Sequence, residues 1–175
     1  MSDEPRDLVV CFVGTDHHPF ERLVSWCDAL ATSRPDVDVV VQHGLTSPPR
    51  VASGKQFFSK EELVTQLGQA RVAISHGGPG LISEIRTAGL QPIVVPRDPA
   101  RGEHIDGHQL RFVDRMARSS LIDVVSTQES FMSVVGRRLA RTCDDRIDTT
   151  ANEKRVRSSV DRFAGLIEQL LDERS

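Results

Sequence analysis

The sequence has no long apolar segment, few aromatic residues and few cysteines. None of its hydrophobic runs reaches the roughly 18 residues that a transmembrane helix needs, and its aromatic content is 5%. The three cysteines lie far apart and form no CxxC pair, which favours a reduced compartment over a disulfide framework. The acidic start, MSDEPRD, is unlike a secretory signal. We therefore expect a cytoplasmic chain with no membrane-spanning segment.

A strong excess of charge is also missing. Charged residues make up 27% of the 175 residues, and the formal net charge is only -3. Nucleic-acid-binding domains usually carry a basic surface, so we expect no nucleic-acid partner. The hydrophobic content of 38% supports one globular domain and argues against disorder. A chain of this length cannot easily hold two full substrate-binding domains.

Segments typical of strands alternate with segments typical of helices. The run Leu8–Val13 is continuously apolar, as in a strand that is buried on both faces of a parallel sheet. Further strands are predicted at residues 37–41, 55–58, 72–75, 92–95 and 122–125. This alternation predicts an α/β fold, a Rossmann-like parallel sheet with helices on both faces.

Helix signals stand between these strands. Pro19 is expected to open the first helix. Ser59 is expected to cap the second, with Glu62 completing a capping box. A third helix, over 79–88, is expected to end at Gly89. Two later helices are expected to bury Phe112, Val113 and Met116, and then Phe131, Val134, Val135 and Leu139.

Three units are predicted along the chain. Residues 1–141 form the α/β domain, 142–151 a linker, and 152–175 a C-terminal amphipathic helix. The apolar stripe of this helix (Val156, Val160, Phe163, Ile167 and Leu170) either packs on its own domain or docks a partner.

Ligands of open parallel sheets bind outside the carboxyl ends of the strands. This rule selects the loops at 14–18, 42–54, 75–80 and 96–109. In the third loop, a buried strand runs into His76-Gly77-Gly78-Pro79-Gly80 and then into a helix that carries Glu84. Glycines let a phosphate approach the backbone, and a helix N-terminus attracts anions. A tight turn with Glu84 on a solvated face is the alternative, but this order of residues favours a nucleotide diphosphate.

The segments SHGGPGLISE and PIVVPRDPARGEHIDGHQ resemble the C-terminal, donor-binding domain of the family 28 glycosyltransferases, the MurG-like type. The opening FVGTDHHPFERLV resembles the small soluble subunits of two-component transferases of this family. The resemblance spans about residues 8–135. It implies the C-terminal half of a GT-B enzyme that binds a UDP-sugar.

The resemblance also implies roles for particular residues. Gly14 and Thr15 would lie near the diphosphate, and Glu84 would hold the ribose. Pro96 and Arg97 would flank the base or the diphosphate. Phosphate and sugar would be contacted by His76, Gly77, Gly78 and Gly80. The pair His108-Gln109 replaces an acidic-Gln pair that contacts the donor sugar in relatives, and His104 lies in the same loop.

Candidates for the base that deprotonates the acceptor are His17, His18 and Glu103, or a residue of a partner. The spacing of His104, Asp106 and His108 has a rival reading as a metal cluster. GT-B enzymes generally work without a bound metal, so the resemblance favours neither a metal nor a cofactor.

Three functions remain in competition. The resemblance implies the donor-binding, catalytic subunit of a hexosyltransferase for polysaccharide biosynthesis. It would move a hexose or N-acetylhexosamine from a UDP-sugar to a lipid-linked acceptor. A membrane-associated subunit would hold that acceptor and keep the chain at the inner face of the membrane. The alternative is a non-catalytic module that binds the nucleotide-sugar and stabilises a partner transferase. A nicotinamide-dependent enzyme is disfavoured, because the first turn, GTDHHPF, lacks G-x-G-x-x-G.

Overall fold

A single parallel sheet organises the domain. The computed structural model describes residues 6–105 and 108–141, without the side chains of residues 108–112. The strands are β1 (Asp7–Phe12), β2 (Val37–Gln42), β3 (Ser53–Lys55), β4 (Val72–Ser75), β5 (Ile93–Val94) and β6 (Asp123–Val124). Their order is β3-β2-β1-β4-β5-β6, and every neighbouring pair runs parallel. The predicted Rossmann-like α/β fold is confirmed.

Of the five α-helices in the described residues, the first four connect strands and the fifth follows β6. They are α1 (Glu21–Ser33), α2 (Lys60–Gln69), α3 (Pro79–Thr87), α4 (His108–Arg118) and α5 (Gln128–Leu139). The predicted capping box of α2 is present, because Ser59 accepts from the Glu62 amide and Glu62 accepts from the Ser59 amide. Gly89 follows α3 with φ +80°, as expected of a glycine that ends a helix.

The sheet is buried on both faces. Along β1, Val9 and Cys11 face the layer of α1 and α5, while Val10 and Phe12 face the layer of α2 and α3. The four predicted apolar positions of α5 (Phe131, Val134, Val135 and Leu139) are all buried in the first layer. Burial on both faces explains why the strands read as continuous apolar runs.

Two elements begin elsewhere than the sequence predicts. The helix α1 starts at Glu21 rather than Pro19, because the amide of buried Phe20 donates to Thr46 Oγ1 and fixes the chain just before the helix. The strand β3 covers Ser53–Lys55 rather than 55–58, because its pairing is with Val40–Gln42 of β2. The chain then leaves the sheet, and the Phe58 ring packs edge-on against Phe12.

Residues 142–175 lie outside the described residues, so the predicted linker and C-terminal helix stay predictions. In the ranges 6–105 and 108–141, no helix combines the length and the apolar character that crossing a membrane requires.

Asp28 of α1 anchors the loop between β2 and β3. Its carboxylate accepts backbone hydrogen bonds from Arg50, Val51 and Ala52, at 2.9–3.1 Å. Burial opposes ionisation, but these bonds outweigh it and lower the pKa of Asp28. One carboxylate therefore fixes three consecutive amides of a loop at the edge of the sheet.

Replacing Asp28 with Ala should lower the free energy of unfolding by about 1–2 kcal/mol, because three amides lose a charged acceptor. Because the folded-state pKa is lowered, this contribution should be complete above the ordinary aspartate pKa and should fade as the pH falls below it. Urea unfolding at several pH values measures both effects. Ser25→Ala, at an exposed position of the same helix, is the matched control. Equal stability of the two variants at pH 7 would contradict this role.

Candidate functional site

Four loops meet at the carboxyl edge of the sheet, as predicted. The amide of Val13 donates to the carbonyl of Gln42, which joins the ends of β1 and β2. A Cβ at Gly44 would lie 2.4 Å from the carbonyl oxygen of Gly14, so the second loop can approach the first only with glycine there. The loops after β4 and β5 reach the same place through His76 and Arg97.

The His76 imidazole lies between two glycines. A Cβ at Gly14 would lie 2.8 Å from His76 Cε1, and a Cβ at Gly78 would lie 2.6 Å from His76 Nε2. Gly14 and Gly77 also have φ values of +96° and +97°, which side-chain-bearing residues rarely adopt. The ring therefore links the loop after β1 to the loop after β4, and Gly14 and Gly78 are both needed to admit it.

His76 stays neutral over the physiological range. Burial is the main cause, and the positive charge of Arg97 adds to it; together they lower the pKa of His76 to about 4. A neutral imidazole has one N–H donor and one lone pair. At neutral pH His76 thus offers a hydrogen bond, not a cation.

The helix α3 begins directly after this ring. Gly78 is its N-cap residue and Pro79 its first residue, and no side chain caps this end. In contrast, side chains cap α2 at Ser59 and α5 at Thr127. A helix N-terminus with only glycine before it leaves room for an anion on its backbone amides.

Buried polar atoms without partners gather beside this loop. Within the described part of the chain, Ser75 Oγ, His76 Nδ1 and Arg97 Nε are buried and make no hydrogen bond. Such atoms are rare in folded proteins and are often functional.

Glu84 stands one helical turn beyond Gly80 in α3. Its side chain is 38% exposed, and its Oε1 accepts from Lys60 Nζ at 2.9 Å. Lys60, the first residue of α2, was not among the residues predicted from the sequence. Because a carboxylate has about four acceptor positions, Glu84 can keep Lys60 and still bind two hydroxyls.

Arg97 lies beneath the loops rather than in the open site. Its side chain is fully buried. Its Nη1 donates to the carbonyls of His18 and Glu103, and its Nη2 donates to the carbonyl of Val13. Its neighbour Pro96 is partly buried, and Thr15 of the first loop is exposed. The sequence predicts that Arg97 flanks a ligand; the structure shows it tying the loop after β1 to the loop after β5.

Both carboxylate oxygens of Glu103 also accept hydrogen bonds within the protein. Its two oxygens accept from Arg22 Nε at 2.9 Å and from Arg22 Nη2 at 2.7 Å, and Oε2 also accepts from the Asp98 amide. The side chains of Arg22 and Glu103 are only 14% and 6% exposed. This ion pair joins α1 to the loop after β5, and it engages both oxygens of a buried Glu103 side chain, which disfavours Glu103 as a base.

Asp16 is a site residue that sequence reasoning missed. Its carboxylate accepts from the amide and the ring Nδ1 of His18, at 2.8 and 2.7 Å. His17 Nδ1 lies 3.6 Å from Asp16 Oδ1, and His104 Nε2 lies 3.7 Å from Oδ2. The D-H-H order in the first loop was the available signal. Atoms that could ligate a metal ion, one each from Asp16, His17 and His18, lie within 4.8 Å of one another. The Asp16 carboxylate, however, already accepts hydrogen bonds from His18.

Two predicted donor contacts fall at the start of α4. These are His108 and Gln109, and their side chains lie outside the described residues. Asp106, the middle member of the rival metal cluster, lies outside them as well.

The comparison with protein families decides the assignment. The model of the glycosyltransferase family 28 C-terminal domain matches residues 8–163, which is most of the chain. The chain belongs to this family. Among curated proteins, none matches the sequence significantly.

Solved structures show the same fold for this family 28 domain. The glycotransferase of kitacinnamycin has a TM-score of 0.70 and 18% identity, over 94% of this chain and 43% of that protein. The spinosyn rhamnosyltransferase SpnG complexed with thymidine diphosphate has a TM-score of 0.54 and 18% identity, over 79% and 38%. MurG of Acinetobacter baumannii has a TM-score of 0.54 and 16% identity, over 79% and 42%. The chain thus spans less than half the length of these proteins, and its fold is that of a GT-B C-terminal domain.

The stability of the domain should rise with pH between about 4 and 6.5. The unfolded chain binds a proton on His76 across this window, whereas the folded chain does not. Between about pH 4 and 6.5 the free energy of unfolding should therefore rise by about 3 kcal/mol because of His76, and His76→Asn should abolish this rise, as measured by urea unfolding. His17→Asn, which replaces an exposed histidine, should keep the slope. Identical slopes for wild type and His76→Asn would contradict the buried, neutral imidazole.

Glu103→Gln should cost about 3 kcal/mol of stability, because the buried Arg22 guanidinium loses its ionised partner. Adding Arg22→Met should recover part of this loss, because it removes the unpaired charge. Urea unfolding of the two single variants and the double variant tests the pair. A loss below about 0.5 kcal/mol for Glu103→Gln would show that the ion pair does not hold the loop.

Proposed function

We propose that this domain binds the nucleoside diphosphate of a UDP-sugar and catalyses transfer of the sugar. The observation that carries the proposal is the loop His76–Gly80. It combines a neutral imidazole, a glycine N-cap and an uncapped helix start at the carboxyl edge of a parallel sheet. Backbone amides of this loop would bind the diphosphate, with Gly14 and Thr15 on its other side.

Glu84 would hold the ribose. It stands one turn along the helix whose N-terminus meets the phosphates, and it is 38% exposed although it is paired with Lys60. That spacing suits a nucleoside, because the ribose directly follows the phosphates. The solved complex of SpnG with thymidine diphosphate supports a pyrimidine nucleoside diphosphate as the ligand class. Uridine is preferred from the resemblance of the motifs alone.

The surrounding loops would complete the donor site. Pro96 and His104 would border the ligand, His108 and Gln109 would face the sugar, and Arg97 would fix the loops from below. The leaving diphosphate would be stabilised by the start of α3 and by His76. No metal or cofactor enters this proposal.

A partner subunit would supply the acceptor. The domain corresponds to less than half of the transferases that share its fold. Sugar transfer needs both substrates in one water-excluding cleft. We therefore propose a membrane-associated partner that holds a lipid-linked glycan acceptor. The chain would act in the cytoplasm at the inner face of the membrane, in polysaccharide biosynthesis, and would transfer a hexose or N-acetylhexosamine. Residues 152–175 would dock this partner.

Isothermal titration with UDP, a UDP-sugar and thymidine diphosphate tests the donor site. We expect wild-type binding to UDP, and about a 10-fold or greater loss in Glu84→Ala, because two ribose hydroxyls lose a charged acceptor. Glu129→Gln, which changes an exposed carboxylate in the first turn of α5, is the matched control. A wild-type protein that binds none of these nucleotides would refute the proposal.

Purification of the native assembly tests the partner. The material that co-purifies with the chain is supplied with a UDP-sugar, and the released UDP is measured. We expect turnover by the assembly that Glu84→Ala reduces. Full turnover in the presence of Glu84→Ala would instead favour a non-catalytic module that stabilises the transferase.

A further inference from the structure

The loop after β1 contains an oriented carboxylate–imidazole pair. Asp16 Oδ1 accepts from the backbone amide of His18 at 2.8 Å and lies 2.7 Å from His18 Nδ1. The short distance requires the ring to donate from Nδ1, because an ionised carboxylate only accepts. The neutral His18 ring therefore keeps its lone pair on Nε2. This is the arrangement in which a carboxylate sets the tautomer of a histidine base.

Asp16 is fixed in its ionised form. Burial opposes ionisation, but the two hydrogen bonds from His18 and the charge of Arg97 outweigh it and lower the pKa of Asp16 to about 2. The carboxylate thus remains an acceptor for His18 throughout the range in which an imidazole titrates.

His104 approaches Asp16 from the other side. Its Nδ1 accepts from the Ile105 amide at 2.8 Å, so a neutral His104 ring carries its proton on Nε2. That nitrogen lies 3.7 Å from Asp16 Oδ2, and the His104 ring is nearly parallel to the His18 ring. With its proton on Nε2, His104 faces the carboxylate as a donor rather than as a metal ligand.

Arg97 fixes the backbone at His18 by a hydrogen bond. Arg97 Nη1 donates to the His18 carbonyl at 2.7 Å and to the Glu103 carbonyl at 2.9 Å. The loop after β1 and the loop after β5 are therefore fixed relative to each other by one buried group. The pair is also close to the His76–Gly80 loop, because Gly14, two residues before Asp16, lies against the His76 ring.

The geometry separates the three base candidates. Both oxygens of Glu103 accept hydrogen bonds from Arg22. The His17 side chain is 72% exposed and lies 3.6 Å from the carboxylate, so it is not oriented by a hydrogen bond. His18 is 22% exposed and hydrogen-bonded through Nδ1, and no hydrogen bond from a described residue reaches its Nε2.

We propose that His18 Nε2 is the base that takes the proton of the acceptor hydroxyl, and that Asp16 is its positioning residue. This inference rests on the proposed function. In the step, the acceptor oxygen forms a bond to the anomeric carbon of the donor. The bond from that carbon to the diphosphate oxygen breaks, its electron pair leaves with the diphosphate, and the acceptor proton moves to His18 Nε2.

The first test is turnover by the co-purified assembly, carried out with His18→Gln, Asp16→Asn and His17→Gln, alongside titration of UDP to each chain. We expect His18→Gln to lower kcat about 100-fold and Asp16→Asn about 10-fold, with UDP affinity changed less than about 3-fold. Asp16→Glu should recover part of the rate. Asp114→Asn, on the exposed face of α4, is the matched control.

The pH profile distinguishes a base from a structural residue. The acid limb of the wild-type rate should vanish in His18→Gln. Among the described residues, the charged or titratable groups near His18 are Asp16, His17, His104 and Arg97. Asp16 is already ionised over the pH range in which an imidazole titrates. A rate loss of His17→Gln equal to that of His18→Gln, or an unchanged acid limb, would overturn the proposal.

A second test needs no acceptor. Nitrogen-15 NMR of the free chain should show neutral His18 protonated at Nδ1, and Asp16→Asn should shift this population toward Nε2–H. An Nε2–H tautomer in the wild type would overturn the pair. If instead the tautomer is as expected and the wild type ignores all nucleotides, the pair is present but the proposed function has failed, and the assignment of His18 as its base falls with it.

Discussion

A buried guanidinium holds together the loops at the carboxyl edge of the sheet. Arg97 is fully buried and stacks 4.7 Å above the centre of the Phe20 ring, while it donates to the carbonyls of Val13, His18 and Glu103. Burial lowers its pKa, and the charges of Asp16 and Glu103 oppose that effect. A buried charge is tolerated only when such partners surround it. The loops after β1 and β5 keep their positions because this one group bridges them.

This arrangement shapes the electrostatics above it. The Arg97 guanidinium donates its hydrogen bonds to backbone carbonyls, and Asp16 and Glu103 balance its charge. The same positive charge also helps to keep His76 neutral. A diphosphate entering the His76–Gly80 loop would therefore meet oriented dipoles rather than a free arginine. Backbone amides that are fixed before the ligand arrives need no reorganisation, which is the condition for strong electrostatic stabilisation of a leaving group.

The sequence predicted the framework well and the side-chain network poorly. Continuous apolar runs located β1, β2 and β4, and the Ser59–Glu62 pair located the start of α2, because these signals are local. The strand β3 was displaced because its position depends on pairing with β2. The burial of Arg97 was missed because its acceptors are carbonyls up to 84 residues away. Such contacts exist only once the fold brings the loops together.

The glycines show the same distinction at single positions. The sequence favours close approach of a phosphate at Gly78 and Gly80, with a tight turn that packs glycine as the alternative, and the resemblance places Gly14 near the diphosphate. The structure separates them: Gly14 and Gly78 must be glycine because the His76 ring occupies the space of a side chain, whereas a Cβ at Gly80 would meet nothing within 4 Å. Packing therefore explains two of these glycines without any ligand. The open space at Gly80, on the first turn of α3, is where a phosphate would fit under the proposed function.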